Sequence, residues 1–150
     1  MNNPSESEFL FAGVAMKLVL SGEDTGQSFC LFSISSAGDS NTPVHFHANE
    51  DETLYISSGE MHAIVAGQEH TVRQGEAVFL PRGIPHQLIN RSGRPADYLI
   101  LCTPSGFERF VTEAGRLRNR GEEPHPPTPD EIARMIEAAP RFGITLLPGW

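Results

Sequence analysis

The sequence predicts an all-β domain, a sandwich or barrel of short strands, followed by two short C-terminal α-helices. Three observations predict it. Short runs rich in Val, Ile, Phe, Leu and Tyr recur along the first two thirds of the chain. Turn residues stand between them: 14 Gly and 12 Pro in 150 residues are many, as a chain of many strand reversals requires. After Thr103 the apolar spacing changes from every second residue to every third and fourth, which is the helical period. One domain over residues 1–150 is expected, with the barrel at about 9–103 and a helical extension at about 104–150.

Residues 1–8 are polar and carry no apolar pattern. Phe9 to Leu20 reads as one or two strands, with Gly13 marking a bulge or turn. Ser21 to Gly26 is a turn, and Gln27 to Ser35, aromatic and β-branched, is a strand. Val44 to His47 and Thr53 to Ser57 are strands, and Ser58-Gly59 turns into Glu60 to Val65. The tip Ala66 to Glu69 sends His70 to Arg73 back, and Gln74-Gly75 leads into Ala77 to Leu80. His86 to Asn90 and Ala96 to Thr103 complete the strands. Ser105-Gly-Phe-Glu108 has the spacing of a helix-capping box, opening a helix over about 106–118 with Phe107, Phe110, Val111 and Ala114 on one face. Gly121 to Pro127 is an extended linker. Thr128-Pro-Asp-Glu131 is a second capping box with Pro at the first helical position, and Ile132, Met135, Ile136 and Ala139 form its apolar stripe. Phe142, Ile144, Leu146 and Leu147 continue into an apolar tail ending at Trp150. These residues are expected to pack over an open end of the barrel, the alternative being a lid or wall for a substrate pocket.

A hydrophobic fraction of 39% with 20% charged residues is that of an ordinary globule. The net charge of −8 argues against nucleic acid and anionic membrane, both of which select basic patches. The run Phe9 to Leu20, broken by Lys17, is too short to span a bilayer. The residues before it bring Glu6 and Glu8 and no positive charge, unlike a secretory leader, so a cytoplasmic location is expected. Cys30 and Cys102 both sit in apolar runs and are expected to be buried free thiols.

The chemistry concentrates in two stretches. In Thr42-Pro-Val-His-Phe-His-Ala-Asn-Glu-Asp-Glu, residues alternate faces along a strand, so His45 and His47 share one side and Phe46 faces away, as core. Glu52 opens the next strand, sharing a face with Leu54 and Ile56. In Gly75 to Asn90, His86 follows the turn residues Pro81, Gly83 and Pro85, and Leu88 shares its face. Three neutral imidazoles and a carboxylate suit one divalent transition ion, Fe, Mn, Ni, Co, Cu or Zn, and not Ca or Mg. His62, His70 and His125 lie at outward or turn positions and are expected to be solvated.

These stretches resemble the two sequence motifs of the cupins. His45, His47, Glu52 and Gly59 follow the first motif, and Gly75, Pro81, Gly83, His86 and Asn90 follow the second. One position departs: the Gly expected six residues before the first His is Asp39, with Gly38 one place early. The resemblance implies a double-stranded β-helix, or jelly-roll barrel, with His45, His47, Glu52 and His86 as metal ligands. It also implies a homodimer, since cupins commonly pair through their sheets. The tail, with its Pro-rich linker, short helix and Gly-Ile segment, is similar to stand-alone cupins of the quercetin dioxygenase type. That similarity implies an oxidoreductase, with Glu52 as a fourth ligand or as a catalytic acceptor of a substrate proton.

An apolar interior with no cation placed in it suits a small enolic or phenolic substrate, flavonol- or polyketide-like, and not a sugar phosphate. A metal-dependent dioxygenase is therefore the leading expectation. A metal-dependent isomerase or lyase, and a non-catalytic small-molecule or metal-binding module, remain the alternatives.

Overall fold

The computed structural model describes residues 8–148. The expectations for residues 1–7 and for the Trp150 end of the tail lie outside them. In chain order the first strands are β1 (Glu8–Phe11), β2 (Val14–Leu20), β3 (Cys30–Ser36), β4 (His45–His47), β5 (Asp51–Ser58) and β6 (Glu60–Val65). They are followed by β7 (Gln68–Arg73), β8 (Ala77–Leu80), β9 (His86–Ile89) and β10 (Ala96–Thr103). Helix α1 (Phe107–Ala114) leads to β11 (Arg116–Leu117), and α2 (Pro129–Ala138) leads through a 3-10 turn to β12 (Ile144–Leu146).

Two antiparallel sheets result, with strand orders β11-β1-β2-β3-β10-β5-β8 and β12-β4-β9-β6-β7. Besides the hairpins β1-β2, β2-β3 and β6-β7, the pairs β3-β10, β10-β5, β5-β8, β4-β9 and β9-β6 join strands distant in sequence, the jelly-roll arrangement, and the two short C-terminal helices lie outside the sheets. Alternation in β3 and β10 buries every second residue, so Phe32, Ile34, Tyr98 and Ile100 face the interior. Ile56, Met61, Ala63 and Leu88 close the core. Ala12 and Gly13, at φ 51 and 85, form the two-residue reversal between β1 and β2.

Several expectations need correction. The strand expected from Gln27 begins at Cys30, because Gln27 sits at φ 69 and the Thr25 hydroxyl caps Phe29 on both its N–H and its carbonyl. The first helix stops at Ala114: Gly115 is extended, and Arg116–Leu117 pairs with β1 as a strand. Its capping box is incomplete. Gly106, not Ser105, is the N-cap, and Ser105 Oγ donates to Gln27 Oε1. Glu108 still reaches back, accepting from the Gly106 N–H and from the Gly22 N–H.

Helix α2 starts as expected, Thr128 Oγ1 accepting from Glu131 N with Pro129 behind it. Its buried face is rotated: Met135 and Ala138 are buried, whereas Ile136 is 50% exposed. The apolar tail is a strand. Ile144, Thr145 and Leu146 pair with His47, Phe46 and His45. The residues after Thr103 thus add one strand to each sheet. Among the described residues, no helix is long and apolar enough to cross a membrane.

Candidate metal centre

Strand β4 carries His45 and His47 with their side chains inward. It is held between β12 and β9, and on the β9 side the paired rung is His45 against His86. That rung is why residues so far apart in sequence meet: directly opposed residues of an antiparallel pair point to the same face. The loop before β4 fixes the register. Thr42 N–H donates to Leu88 O, Thr42 Oγ1 accepts from Leu88 N–H, and Gln87 Nε2 donates to Thr42 O. The turn before β9 is tied to the same strand, with Gly83 N–H donating to His47 O at 2.7 Å. Gly83 has φ +75, a conformation that a β-carbon would strain. Glu52 comes from the other sheet, between Cys102 and Leu80, and points across the interior at the imidazoles.

The four side chains converge. One ligand atom from each of His45, His47, Glu52 and His86 lies within 4.8 Å of all the others. Two ligands on opposite sides of one ion, each at about 2.1 Å, stand about 4.2 Å apart, so a small contraction would seat a cation. His86 Nε2 is 3.1 Å from Glu52 Oε2 without the alignment of a hydrogen bond, and His47 Nε2, at 3.7 Å, is too far for one. The buried side-chain atoms without a partner among the described residues are His47 Nε2, Glu52 Oε2 and both nitrogens of His86. Buried polar atoms are costly when unpaired, by about 1–3 kcal/mol each, and one from each of these three residues lies in the converging set. That is the arrangement a cation satisfies, and the donor set of three nitrogens and one oxygen suits a borderline divalent ion.

A further carboxylate orients this set. His45 Nδ1 lies 2.7 Å from the Pro43 carbonyl, which can only accept, so Nδ1 carries the proton and Nε2 is free. His47 Nδ1 is bonded to Glu50 Oε1 at 2.6 Å, and Glu50 is buried. Sequence reasoning missed Glu50, which sits in the bend between β4 and β5 where no period marks a face. The bond is a carboxylate–histidine pair behind the candidate ligand, a device that fixes ring orientation and raises basicity.

The electrostatics follow from burial and crowding. Burial, with His86 and His47 beside it, pushes His45 down to about 3, so it is a neutral donor at ordinary pH. Burial opposes charge on His47, but the Glu52 and Glu50 carboxylates outweigh it and raise its pKa. Burial likewise opposes charge on Glu52, but His47 and His86 outweigh it and hold the carboxyl at about 2. The Glu52 carboxylate thus favours a proton on His47. A cation bound there takes the place of that proton.

Beside the cluster lies an apolar cavity of about 750 Å³ of empty space, its open mouth included. Met16, Ile34 and Ile100 line it from one sheet, and Met61 and Leu88 from the other. Phe107, Phe110, Met135, Ile144 and Leu146 close it from the C-terminal segment, so the aromatics expected over the barrel end both pack in the core and wall the cavity. The Phe107 ring sits 5.1 Å from that of His47. No lysine or arginine lines it among the described residues. Leu88 is a wall residue as expected. Leu54 and Ile56 are not: both are fully buried in the core away from the cavity. Phe46, expected in the core, is half-buried on the outward face and outside the core cluster. His62, His70 and His125 stand apart from the four-residue cluster.

Residues 33–102 match the family Cupin_2, the cupin domain. The fold agrees with that match. A Thermotoga maritima structure, named a predicted oxalate decarboxylase, has a TM-score of 0.62 at 20% identity, covering 69% of this chain and 98% of that one. The chain carries a cupin domain. A sugar phosphate isomerase of the cupin superfamily from Silicibacter pomeroyi has a TM-score of 0.53 at 23% identity, covering 61% of this chain and 59% of that one. At such identities the likeness is one of fold. In sequence, this chain is 34% identical over 60 residues to the tetracenomycin polyketide synthase protein TcmJ of Streptomyces glaucescens. Those residues are 40% of this chain and 40% of the relative, so the match spans well under half of that protein's length.

Proposed function

We propose that this chain holds one divalent transition ion on His45, His47, Glu52 and His86 and acts, as an oxygenase, on a small enolic or phenolic compound of polyketide or flavonol type. The observation that carries the reading is the position of the four-residue cluster at the wall of an apolar, cation-free cavity. An ion on this ligand set supplies Lewis-acid chemistry and, for the redox-active metals, electron transfer. The chain's own residues do the rest. The apolar walls exclude water and sandwich a flat molecule between the two sheets, which face each other about 10 Å apart in such folds. With no Lys or Arg in the lining among the described residues, the ion would be the positive group there, so a phosphate or carboxylate remote from it would lack a counter-charge.

Glu52 is the carboxylate of the lining and so the group placed to accept the proton of a substrate hydroxyl. Its low pKa makes it a good ligand and a weak base while His47 is charged. Proton acceptance therefore belongs to the state in which His47 is neutral.

A second reading, non-oxidative enolate chemistry as in an isomerase or lyase, is favoured by the polyketide synthase relative. Chains of alternating carbonyls enolise with a Lewis acid and a base alone. Anaerobic incubation with Fe(II), Mn(II), Ni(II) or Co(II) and a panel of flavonols and aromatic polyketides, followed by admission of oxygen, separates the two. Oxygen uptake coupled to substrate loss supports the oxygenase; turnover that is complete before oxygen enters supports the second reading. Ligand binding with no turnover in either gas leaves a binding module.

A further inference from the structure

We propose that the Tyr98 hydroxyl is a second recognition point in the cavity. It selects uncharged, elongated aromatic ligands that carry an oxygen at the end remote from their enol or phenol group. The inference rests on the reading of the cavity as a site for such compounds, and adds to it where the far end of the molecule is held and by what.

Tyr98 is on β10, 3% exposed, with its side chain in the core and on the cavity wall. Burial raises its pKa, with a contribution from the Glu52 carboxylate and none from a hydrogen bond, so the phenol is a neutral donor. No described residue bonds its hydroxyl, yet it is not sealed in. The fully enclosed side-chain atoms without partners belong to His47, Glu52 and His86. The Tyr98 hydroxyl therefore keeps open surface, and the open space it borders is the cavity.

The other polar side chains of the lining away from the cluster are differently placed. Ser40 Oγ donates to Ala37 O, Thr42 Oγ1 accepts from Leu88 N, and Asn41 is exposed at the mouth. A hydroxyl open only to the cavity finds its partner in what the cavity holds, and phenylalanine fills the same space without one. The tyrosine is thus spent on something that enters the cavity.

The register gives the spacing. Tyr98 pairs with Ile56 and with Ile34, whereas Glu52 pairs with Cys102 four residues further along β10. Four residues of strand separate the two backbone rungs by roughly 13 Å, and the hydroxyl itself is near enough to Glu52 to feel its charge. Between these rungs the wall is apolar, Ile100 on the same strand and Leu88 on the facing sheet. One end of the slot presents nitrogen and carboxylate ligands to an oxygen pair, the middle offers hydrocarbon, and the far end offers a single hydroxyl. A fused or linked ring system oxygenated at both ends matches that order. A compound with one polar end leaves Tyr98 unpaired.

The test uses Zn(II)-loaded protein and two probes: unsubstituted flavonol, and flavonol bearing one further hydroxyl on its pendant phenyl ring, para to the link. Dissociation constants are read from ligand fluorescence. The wild-type chain should prefer the hydroxylated probe by roughly 3- to 10-fold, the worth of one neutral hydrogen bond. Tyr98→Phe should abolish that preference, keep the affinity for unsubstituted flavonol, and melt no lower than wild type. A preference that survives in Tyr98→Phe, an equal loss for both probes, or no wild-type preference at all overturns the proposal and leaves the phenolic reading standing. Failure of both probes to bind the wild-type chain overturns both together. Zinc content, measured on the same sample, reports separately on the metal reading.

Discussion

His47 Nδ1 and Glu50 Oε1 lie 2.6 Å apart, with both side chains almost wholly buried, at 2% and 4% exposure. The Glu50 carboxylate holds the His47 ring by Nδ1 and so leaves Nε2 for the cluster. Glu50→Ala should lower the affinity for Zn(II) or Co(II) by about 10- to 100-fold, the usual cost of losing a carboxylate behind a ligating histidine. Glu50→Gln, whose amide oxygen still accepts from Nδ1–H, should lose less. Competition against a chromophoric chelator measures both, and wild-type affinity in Glu50→Ala would reduce the pair to a packing contact.

His86 is the histidine whose two ring nitrogens both lack a partner among the described residues. His86→Ala removes two costly atoms along with one ligand, so the barrel should remain folded by far-UV circular dichroism. Metal affinity should fall by at least the factor expected for Glu50, on the order of 100-fold, since a ligand is lost outright. His125, bonded to the Pro126 carbonyl and far from the cluster, serves as control: His125→Ala should leave bound metal unchanged. Equal metal content in the two variants would remove the site.

Met135 and Ile136 are sequence neighbours on α2 with opposite surroundings, 4% and 50% exposed. Met135 faces the cavity and the core, so Met135→Ala should cost about 2–5 kcal/mol. Ile136→Ala should stay within roughly 0.5 kcal/mol, as for other surface positions without special contacts. Urea unfolding of the two variants settles the order. Similar losses would mean that the helix packs on both residues.

The sequence made the four candidate ligands legible for a physical reason. Period-two alternation places His45 with His47, and the run Pro81, Gly83, Pro85 demands a turn that delivers His86 to the start of a strand. The strands with clean alternation, such as Ala96–Thr103 and Glu60–Val65, were equally legible. What was not legible lacks a period. Arg116–Leu117 and Ile144–Leu146 are two and three residues long, and they are strands because β1 and β4 would otherwise present open edges. Glu50 lies in a bend and resembles any surface carboxylate until its partner is known. Leu54 and Ile56 show a further limit: parity places a residue on a face but not at a position along the barrel, so they share the side of Glu52 without reaching the cavity.

Arg82 stands in the turn that carries His86, and its side chain is spread over β5. Its N–H and Nε both donate to Asp51 Oδ1, and its Nη2 donates to Asp51 Oδ2 and to the Thr103 carbonyl. The side-chain bond from Arg82, then its backbone bond, hold the Asp51 carboxyl below its ordinary value of 3.8. A carboxyl whose folded pKa is depressed stabilises the fold above its unfolded pKa and loses that contribution as pH falls through the folded value. The pair is exposed, so the effect is small and screened by salt. Arg82→Ala should therefore melt slightly below wild type at neutral pH, with the gap closing as pH falls below 3.8. The Asp51 titration midpoint, followed by NMR, should move up toward that ordinary value. The turn keeps its Gly83 bond to His47, so metal affinity should change little. A gap in melting temperature that is constant through the acid range would mean that Arg82 acts by shaping the turn and not by its charge.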